Sequence, residues 1–334
     1  MTGHAGMKLM AVGAITALAI TGCSSSGGKK ATETTSSGAS GQGSGGVDTP
    51  SMTVALVTHS GPGDTFWDIV RKGAETAAKT YNIKLEYSAD PDGTKQANLV
   101  QAAVDKKVAG VATTLGKPDA MKGAVSNATK GGIPVVGVNS GSDKAKEFGL
   151  IGFFGQPEKT AGEAVGDKIK TAGATTPLCI IHEQGNVGLE ERCAGVKAKV
   201  PSTQTLYVDG KSLPNVVTSV QAKLAQSKNI DWIIGLNADV SLNALKGRDQ
   251  AGSKAKVGTF DTNADLVKSI KDGKIEFAID QQPWLQGYLA VQAIWLYKYN
   301  GSTVGGGQPT LTGPAFIDKS NVNAVEQYAA KGIR

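Results

Sequence analysis

Side chains able to bind or react gather just past short apolar runs of this chain. After the first run comes His59-Ser60-Gly61-Pro62-Gly63-Asp64-Thr65-Phe66-Trp67, and after the fourth Asn139-Ser140-Gly141-Ser142. The sixth leads to His182-Glu183-Gln184-Gly185-Asn186 and on to Arg192, the eighth to Asn237, the ninth to Asp261, and the tenth to Gln281-Gln282-Pro283-Trp284. Planar amide, carboxylate and guanidinium groups can take vicinal hydroxyls two at a time, while aromatic faces cover the C–H face of a sugar ring. That mixture suits a neutral polyhydroxylated ligand. Metal chemistry is not expected: the chain has 3 His, and His182-Glu183 lacks a second His at the helical spacing zinc requires. Asp261-Thr262-Asn263-Ala264-Asp265 copies the start of an EF-hand loop, but Leu266 stands where Gly is needed and Asp272 where Glu is needed. No phosphate loop ending in Gly-Lys-Ser/Thr is present, and no cofactor is expected.

The elements that must position these groups alternate in type. Apolar runs at Thr53–Val57, Ile83–Tyr87, Val108–Thr113, Ile133–Val138, Leu150–Phe154, Leu178–His182, Thr205–Val208, Trp232–Gly235, Val257–Phe260 and Phe277–Asp280 read as strands. Amphipathic stretches such as Phe66–Tyr81, Gln96–Lys107, Ala120–Lys130, Thr160–Ala172, Asn215–Gln226, Ser241–Ala251 and Leu285–Tyr299 read as helices. Such alternation predicts an α/β protein of parallel sheets covered by helices, and ten strands divide more naturally into two sheets than one. In open α/β sheets ligands sit at the carboxyl ends of the strands, where the polar residues cluster. Each candidate also has a purely structural use. Phe66 and Trp67 could be core residues, Asp64, Asn237 and Asp261 could cap helices, and Arg192 could pair with Glu190 or Glu191 on a surface helix. Trp284 could line the cleft rim or pack between lobes.

Composition narrows the class. With 334 residues, 40% hydrophobic, 5% aromatic, 44 Gly and 3 Cys, the chain is neither disordered, collagenous nor a disulfide-dense mini-protein. A net charge of +6 without any long run of like charges gives no reason to expect nucleic acid. The apolar stretch Leu9–Ile20 is shorter than the roughly 20 residues of a membrane-spanning helix and reads as a signal-peptide core, with Met7 a possible start. It ends in Ile20-Thr21-Gly22-Cys23, which resembles a bacterial lipobox and implies cleavage after residue 22 and lipidation of Cys23. Residues 23–51, rich in Ser, Gly and Thr, read as a flexible tether. Outside the cytoplasm the remaining pair, Cys179 and Cys193, is expected to form a disulfide.

Asp64-Thr65-Phe66-Trp67 followed by Lys72-Gly73-Ala74, the Gly131-Gly132-Ile133-Pro134-Val135-Val136 run, Arg192, Asn237, Val257-Gly258-Thr259-Phe260-Asp261 and Gln281-Gln282-Pro283 together resemble the ribose-type periplasmic sugar-binding proteins. The resemblance runs in order from about Met52 to near the C-terminus. It implies two Rossmann-like lobes joined by a three-strand hinge, at 52–154 plus 283–311 and 156–280 plus 313–334, with crossings near Gly155, Gln281 and Thr312. It also implies that Asp64, Phe66, Trp67, Asn139, Arg192, Asn237, Asp261 and Gln281 bind ligand. The implied protein is a monomeric, non-catalytic solute-binding subunit of an ABC importer. It is lipid-anchored at the outer face of the cell membrane and closes on a sugar or polyol for a membrane permease. A ligand-presenting receptor for a membrane sensor is the alternative from signalling. A carbohydrate-active enzyme would use two carboxylates across the cleft, which Asp64 and Asp261 could mimic. The export signal and tether stand where a transcriptional regulator would carry its DNA-binding helices. Ribose binders have a carboxylate and an Arg after the fourth strand where this chain has Asn139 and Ser140, and an aromatic near Asp209-Gly210 is replaced. A different, roomier pocket is expected, and Arg192→Ala is expected to abolish binding without unfolding the protein.

Overall fold

The structure, a computed structural model, describes residues 49–334. The signal peptide, Cys23 and most of the tether lie outside the described residues.

The inner strands of the first sheet are buried on both faces, as strands sandwiched between helices must be. Val54 and Leu56 of β1 (Met52–Thr58) point to one core, Ala55 and Val57 to the other. The chain continues through α1 (Thr65–Thr80), β2 (Ile83–Ala89), α2 (Gly93–Asp105), β3 (Gly110–Thr114), α3 (Pro118–Lys130), β4 (Val135–Asn139) and β5 (Gly152–Gly155). It then builds a second unit from α4 (Glu158–Thr171), β6 (Pro177–Ile181), α5 (Val187–Lys199), β7 (Gln204–Tyr207), α6 (Leu213–Gln226), β8 (Trp232–Gly235), α7 (Ala238–Gln250), β9 (Lys256–Phe260), α8 (Ala264–Lys271) and β10 (Phe277–Asp280). Helix α9 (Pro283–Asn300) returns to pack on α1, β11 (Pro309–Leu311) joins the first sheet, and β12 (Ala315–Asp318) and α10 (Asn323–Ala330) join the second.

The two six-stranded sheets have orders β2-β1-β3-β4-β5-β11 and β7-β6-β8-β9-β10-β12, parallel except for β12 against β10. Both are covered on both faces, the second by clusters containing Leu178 and Ile180 on one side and Cys179 and Ile181 on the other. All ten apolar runs coincide with strands to within a residue or two at each end. Periodicity did not reveal β11 and β12, three and four residues long and half exposed. It also passed over α5, α8 and α10. The first of these buries Arg192 on the side that faces the cleft, which interrupts its apolar stripe. Among the described residues no helix is long and apolar enough to cross a membrane.

A disulfide joins Cys179 of β6 to Cys193 of α5, across a Cα separation of 5.8 Å. It staples the helix that carries Arg192 to the strand that leads to His182. Helix α5 also lies close against α4, because a Cβ at Gly195 would meet the backbone O of Lys159 and one at Gly162 the backbone O of Arg192. Closing a loop of 14 residues stabilises by about 3 kcal/mol on the chain-entropy account. Urea unfolding of Cys179→Ser/Cys193→Ser should show a loss of about that size. Equal stability of the double variant and the oxidised wild type would mean that the bond constrains little.

Candidate functional site

The loops after the strands of both sheets face one another across a cavity of about 240 Å³. All eight candidate residues line it: Asp64, Phe66 and Trp67 at the start of α1, Asn139 at the end of β4, Arg192 in α5, Asn237 before α7, Asp261 after β9 and Gln281 after β10. The cleft is closed over this space by bonds between the two units. Val187 N donates to Gly116 O at 2.9 Å, Thr65 Oγ1 to Asp239 Oδ2 at 2.9 Å, and the Asn186 amide to His59 Nε2 at 3.1 Å, while Lys117 Nζ lies 3.0 Å from Glu183 Oε1.

Several of these side chains hold structure as well as lining the cavity. Asp64 is the N-cap of α1, accepting from Phe66 N at 3.0 Å, and also accepts from the Asn237 amide of the other unit at 3.3 Å. Asn237 in turn caps α7 through Oδ1. Asp261 caps nothing, since Asn263 is the N-cap of α8. Phe66 and Trp67 belong to the core beside β1 and line the cavity as well, with the two rings 4.9 Å apart and His59 4.8 Å from Trp67. Trp284 does not line the cavity. It stacks on Tyr288, and its backbone lies where a Cβ on Gly73 would fall, so it belongs to the α1–α9 contact.

Arg192 departs most from expectation. It is buried, and its partner is neither Glu190 nor Glu191 but Glu158, at the first turn of α4. Arg192 Nε and Nη2 donate to the two Glu158 oxygens at 2.5 and 2.8 Å, and Nη1 donates to Leu236 O at 3.2 Å. Of the five N–H groups of a guanidinium, one on each of Nη1 and Nη2 is left for the cavity. The group also lies over the Phe260 ring, 4.6 Å from its centroid.

At the back of the cleft Gln281 joins the units. Asn139 Nδ2 donates to Gln281 Oε1 at 2.9 Å, and Gln281 Nε2 donates to Asp261 Oδ1 at 2.7 Å. Asn139 and Asp261 both have left-handed backbones, with φ of 66° and 67°. Asn and Asp tolerate that region better than other residues with a side chain, and it turns both side chains toward the same amide.

Burial governs the titration of the site. It pushes the carboxyls of Asp64 and Asp261 up to about 7, although Arg192 opposes the shift at Asp261. Burial lowers His182 to about 4 and holds His59 below its ordinary value against the pull of Glu183. At Glu183 burial acts upward, but His59, Asn186 and Lys117 together outweigh it and keep the carboxyl below its ordinary range. Arg192 is thus paired with Glu158 and Lys117 with Glu183, while Asp64, Asp261 and the two histidines are shifted toward neutrality. The candidate set omits His59, His182, Glu183, Asn186 and Gly210, which also line the cavity. Their position just after β1, β6 and β7 was the available signal. Glu158 offered none, since it is joined to Arg192 only by the fold.

Two α/β units that close on a small cavity at their strand ends define the architecture of a bilobal binding protein. The chain belongs to the periplasmic binding protein domain family, an extracytoplasmic family whose model matches residues 54–301. A solved carbohydrate transporter from Acidothermus cellulolyticus 11B, in complex with myo-inositol, is similar at 47% identity and a TM-score of 0.84, over 85% of this chain and 100% of that one. The xylose/arabinose-binding protein of Sulfolobus acidocaldarius is 24% identical over 72% of this chain and 64% of its own length. The ribose import binding protein of Bacillus subtilis is 26% identical over 68% of this chain and 76% of its own. The chain thus spans just under two thirds of the archaeal relative.

Breaking a buried pair by removing one partner typically costs about 3–5 kcal/mol, because the other charge is left without compensation. Arg192→Ala should therefore lower stability in urea by about that much, rather than leave the fold intact. The double change Arg192→Met/Glu158→Leu should recover most of the loss. Wild-type unfolding of Arg192→Ala would contradict the pairing.

Proposed function

We propose that this protein is the solute-binding subunit of an ABC importer and that it closes on one ring of a neutral polyhydroxylated compound, with myo-inositol the first candidate. The observation that carries the reading is the closed cavity of about 240 Å³, below the usual 300–1,000 Å³ of ligand sites and lined by planar polar groups beside Phe66 and Trp67. A space of that size takes a single ring rather than an oligosaccharide. The 47% identical structure holds myo-inositol, a ligand of this size and chemistry. Asp64, Asn139, Arg192, Asn237, Asp261 and Gln281 would bond the hydroxyls, and Phe66 and Trp67 would cover the C–H face. The segments around 155–157, 281–282 and 312–314 would act as hinges, and a permease would receive the closed form. Signal-peptide cleavage and acylation at Cys23 would hold the protein, as a monomer, at the outer face of the cell membrane.

The two raised carboxyls set the expected pH dependence. The two carboxyls keep protons in the folded protein that the unfolded chain releases, so on their own they lower its stability as pH rises from about 4 to about 7, while His182 and His59, held below their ordinary value by burial, act in the opposite direction below about 6.5. Ligand hydroxyls donate more strongly to carboxylate than to the neutral acid. Binding should thus release protons and tighten as pH rises from about 6 to about 8. Titration calorimetry with myo-inositol at both values, backed by melting shifts for pentoses, hexoses and alditols, checks both points. Absence of binding by every neutral polyol, with a charged amino acid or peptide bound instead, would overturn the reading.

A further inference from the structure

Aromatic residues are scarce in this chain, yet they are unevenly placed. Of its 4 Trp and 7 Tyr, five form one continuous stack on the outside of the first unit: Trp284, Tyr288, Tyr81, Trp295 and Tyr299. Trp284 and Tyr288 lie 5.1 Å apart, Tyr81 and Trp295 4.5 Å, and Trp295 and Tyr299 4.9 Å, each pair near parallel, while Tyr81 meets Tyr288 edge-on at 6.4 Å. Four of the rings are partly exposed, and Tyr299 is 60% exposed. All but Tyr81 follow helical spacing along α9, a helix that carries apolar residues on every side instead of a polar outer face. None of the five lines the ligand cavity.

The chain enters the fold at this same place. Thr49 donates through Oγ1 to Tyr81 O at 3.2 Å, and Asn82 Nδ2 donates to Thr49 O at 2.8 Å. The 25 residues 24–48 separate this point from Cys23. A Ser/Gly-rich chain of that length spans on average roughly 25–30 Å, about the width of a small domain. With a lipid on Cys23, the tether keeps the surface around Thr49 and Tyr81 within reach of the bilayer.

We propose that the Tyr81–Trp295–Tyr299 face seats in the headgroup layer of the membrane to which the protein is tethered. Tyr and Trp rings, apolar in body and polar at one end, favour that layer. Exposed Lys79 and Lys298 flank the face in sequence and suit anionic lipids. Thr49 and Tyr81 precede β1 and β2, and so lie at the amino ends of strands whose carboxyl ends form the cleft. Seated in this way, the protein turns its cleft away from the bilayer, toward incoming solute, and must lift off to present it to a permease. The inference rests on the reading of Cys23 as a lipid anchor.

The test uses the full acylated chain on phosphatidylglycerol/phosphatidylcholine vesicles whose acyl chains are brominated, a quencher of nearby tryptophan. Emission should fall on the vesicles, and Trp295→Phe should remove most of the quenching while Trp232→Phe, in the second sheet, leaves it. Tyr299→Ser, at an exposed position, should weaken the quenching independently of any effect of Trp295→Phe on folding. Protein that sediments with vesicles but shows no Trp295-dependent quenching overturns the seating and leaves the anchor intact. Failure to sediment overturns the anchor reading, and the seating with it. A Trp295-dependent change in emission on adding cellohexaose, without quenching on vesicles, would assign the face to glycan stacking instead.

Discussion

One side-chain amide ties the two halves of this protein together at the back of the cleft. Gln281 accepts from Asn139 at the end of the fourth strand of one sheet and donates to Asp261 after the fourth strand of the other. Both partners have a left-handed backbone. Gln286 donates to the same oxygen at 3.0 Å, so the amide is fixed from α9 as well. The back of the cleft is thereby set by three polar groups of defined orientation, and the front is set by Asp64 and Asn237. A ligand hydroxyl entering this space meets acceptors and donors that are already aimed.

The charge arrangement decides what kind of ligand fits. Arg192, the one buried cation among the described residues, is matched by Glu158, and Lys117 by Glu183. Asp64 and Asp261 are near half-protonation at neutral pH, and both histidines that line the cavity are held toward the neutral form. Asp239, which accepts from Thr65 and Asn263, and the exposed Lys211 also line the cavity and make no ion pair. Binding without turnover is what the family's character as binding proteins implies.

Much of this was legible from residue order. Strands buried on both faces are written as unbroken β-branched runs, and the rule that ligands sit at strand ends selects Asp64, Asn139, Asn237, Asp261 and Gln281 directly. What was hidden depends on contacts between distant segments. Glu158 reaches Arg192 from 34 residues away, and nothing about an acid in the first turn of a helix says that it faces inward. The double use of Asn237, as cap of α7 and as donor to Asp64, needs both units in place at once. The strands β11 and β12 are too short to show a period, although they bracket the last crossing between sheets. Buried polar faces blur helical patterning, as α5 shows, so the helix nearest the chemistry was the hardest to read.

A crystal structure of the protein grown with myo-inositol examines the central claim most directly. The account predicts one ring between Phe66, Trp67 and the Gln281 amide, with hydroxyls within hydrogen-bond reach of Asp64 and Asp261 and of the free N–H groups of Arg192. Density for the ligand at another surface, or a closed cleft holding only water at saturating ligand, would contradict it.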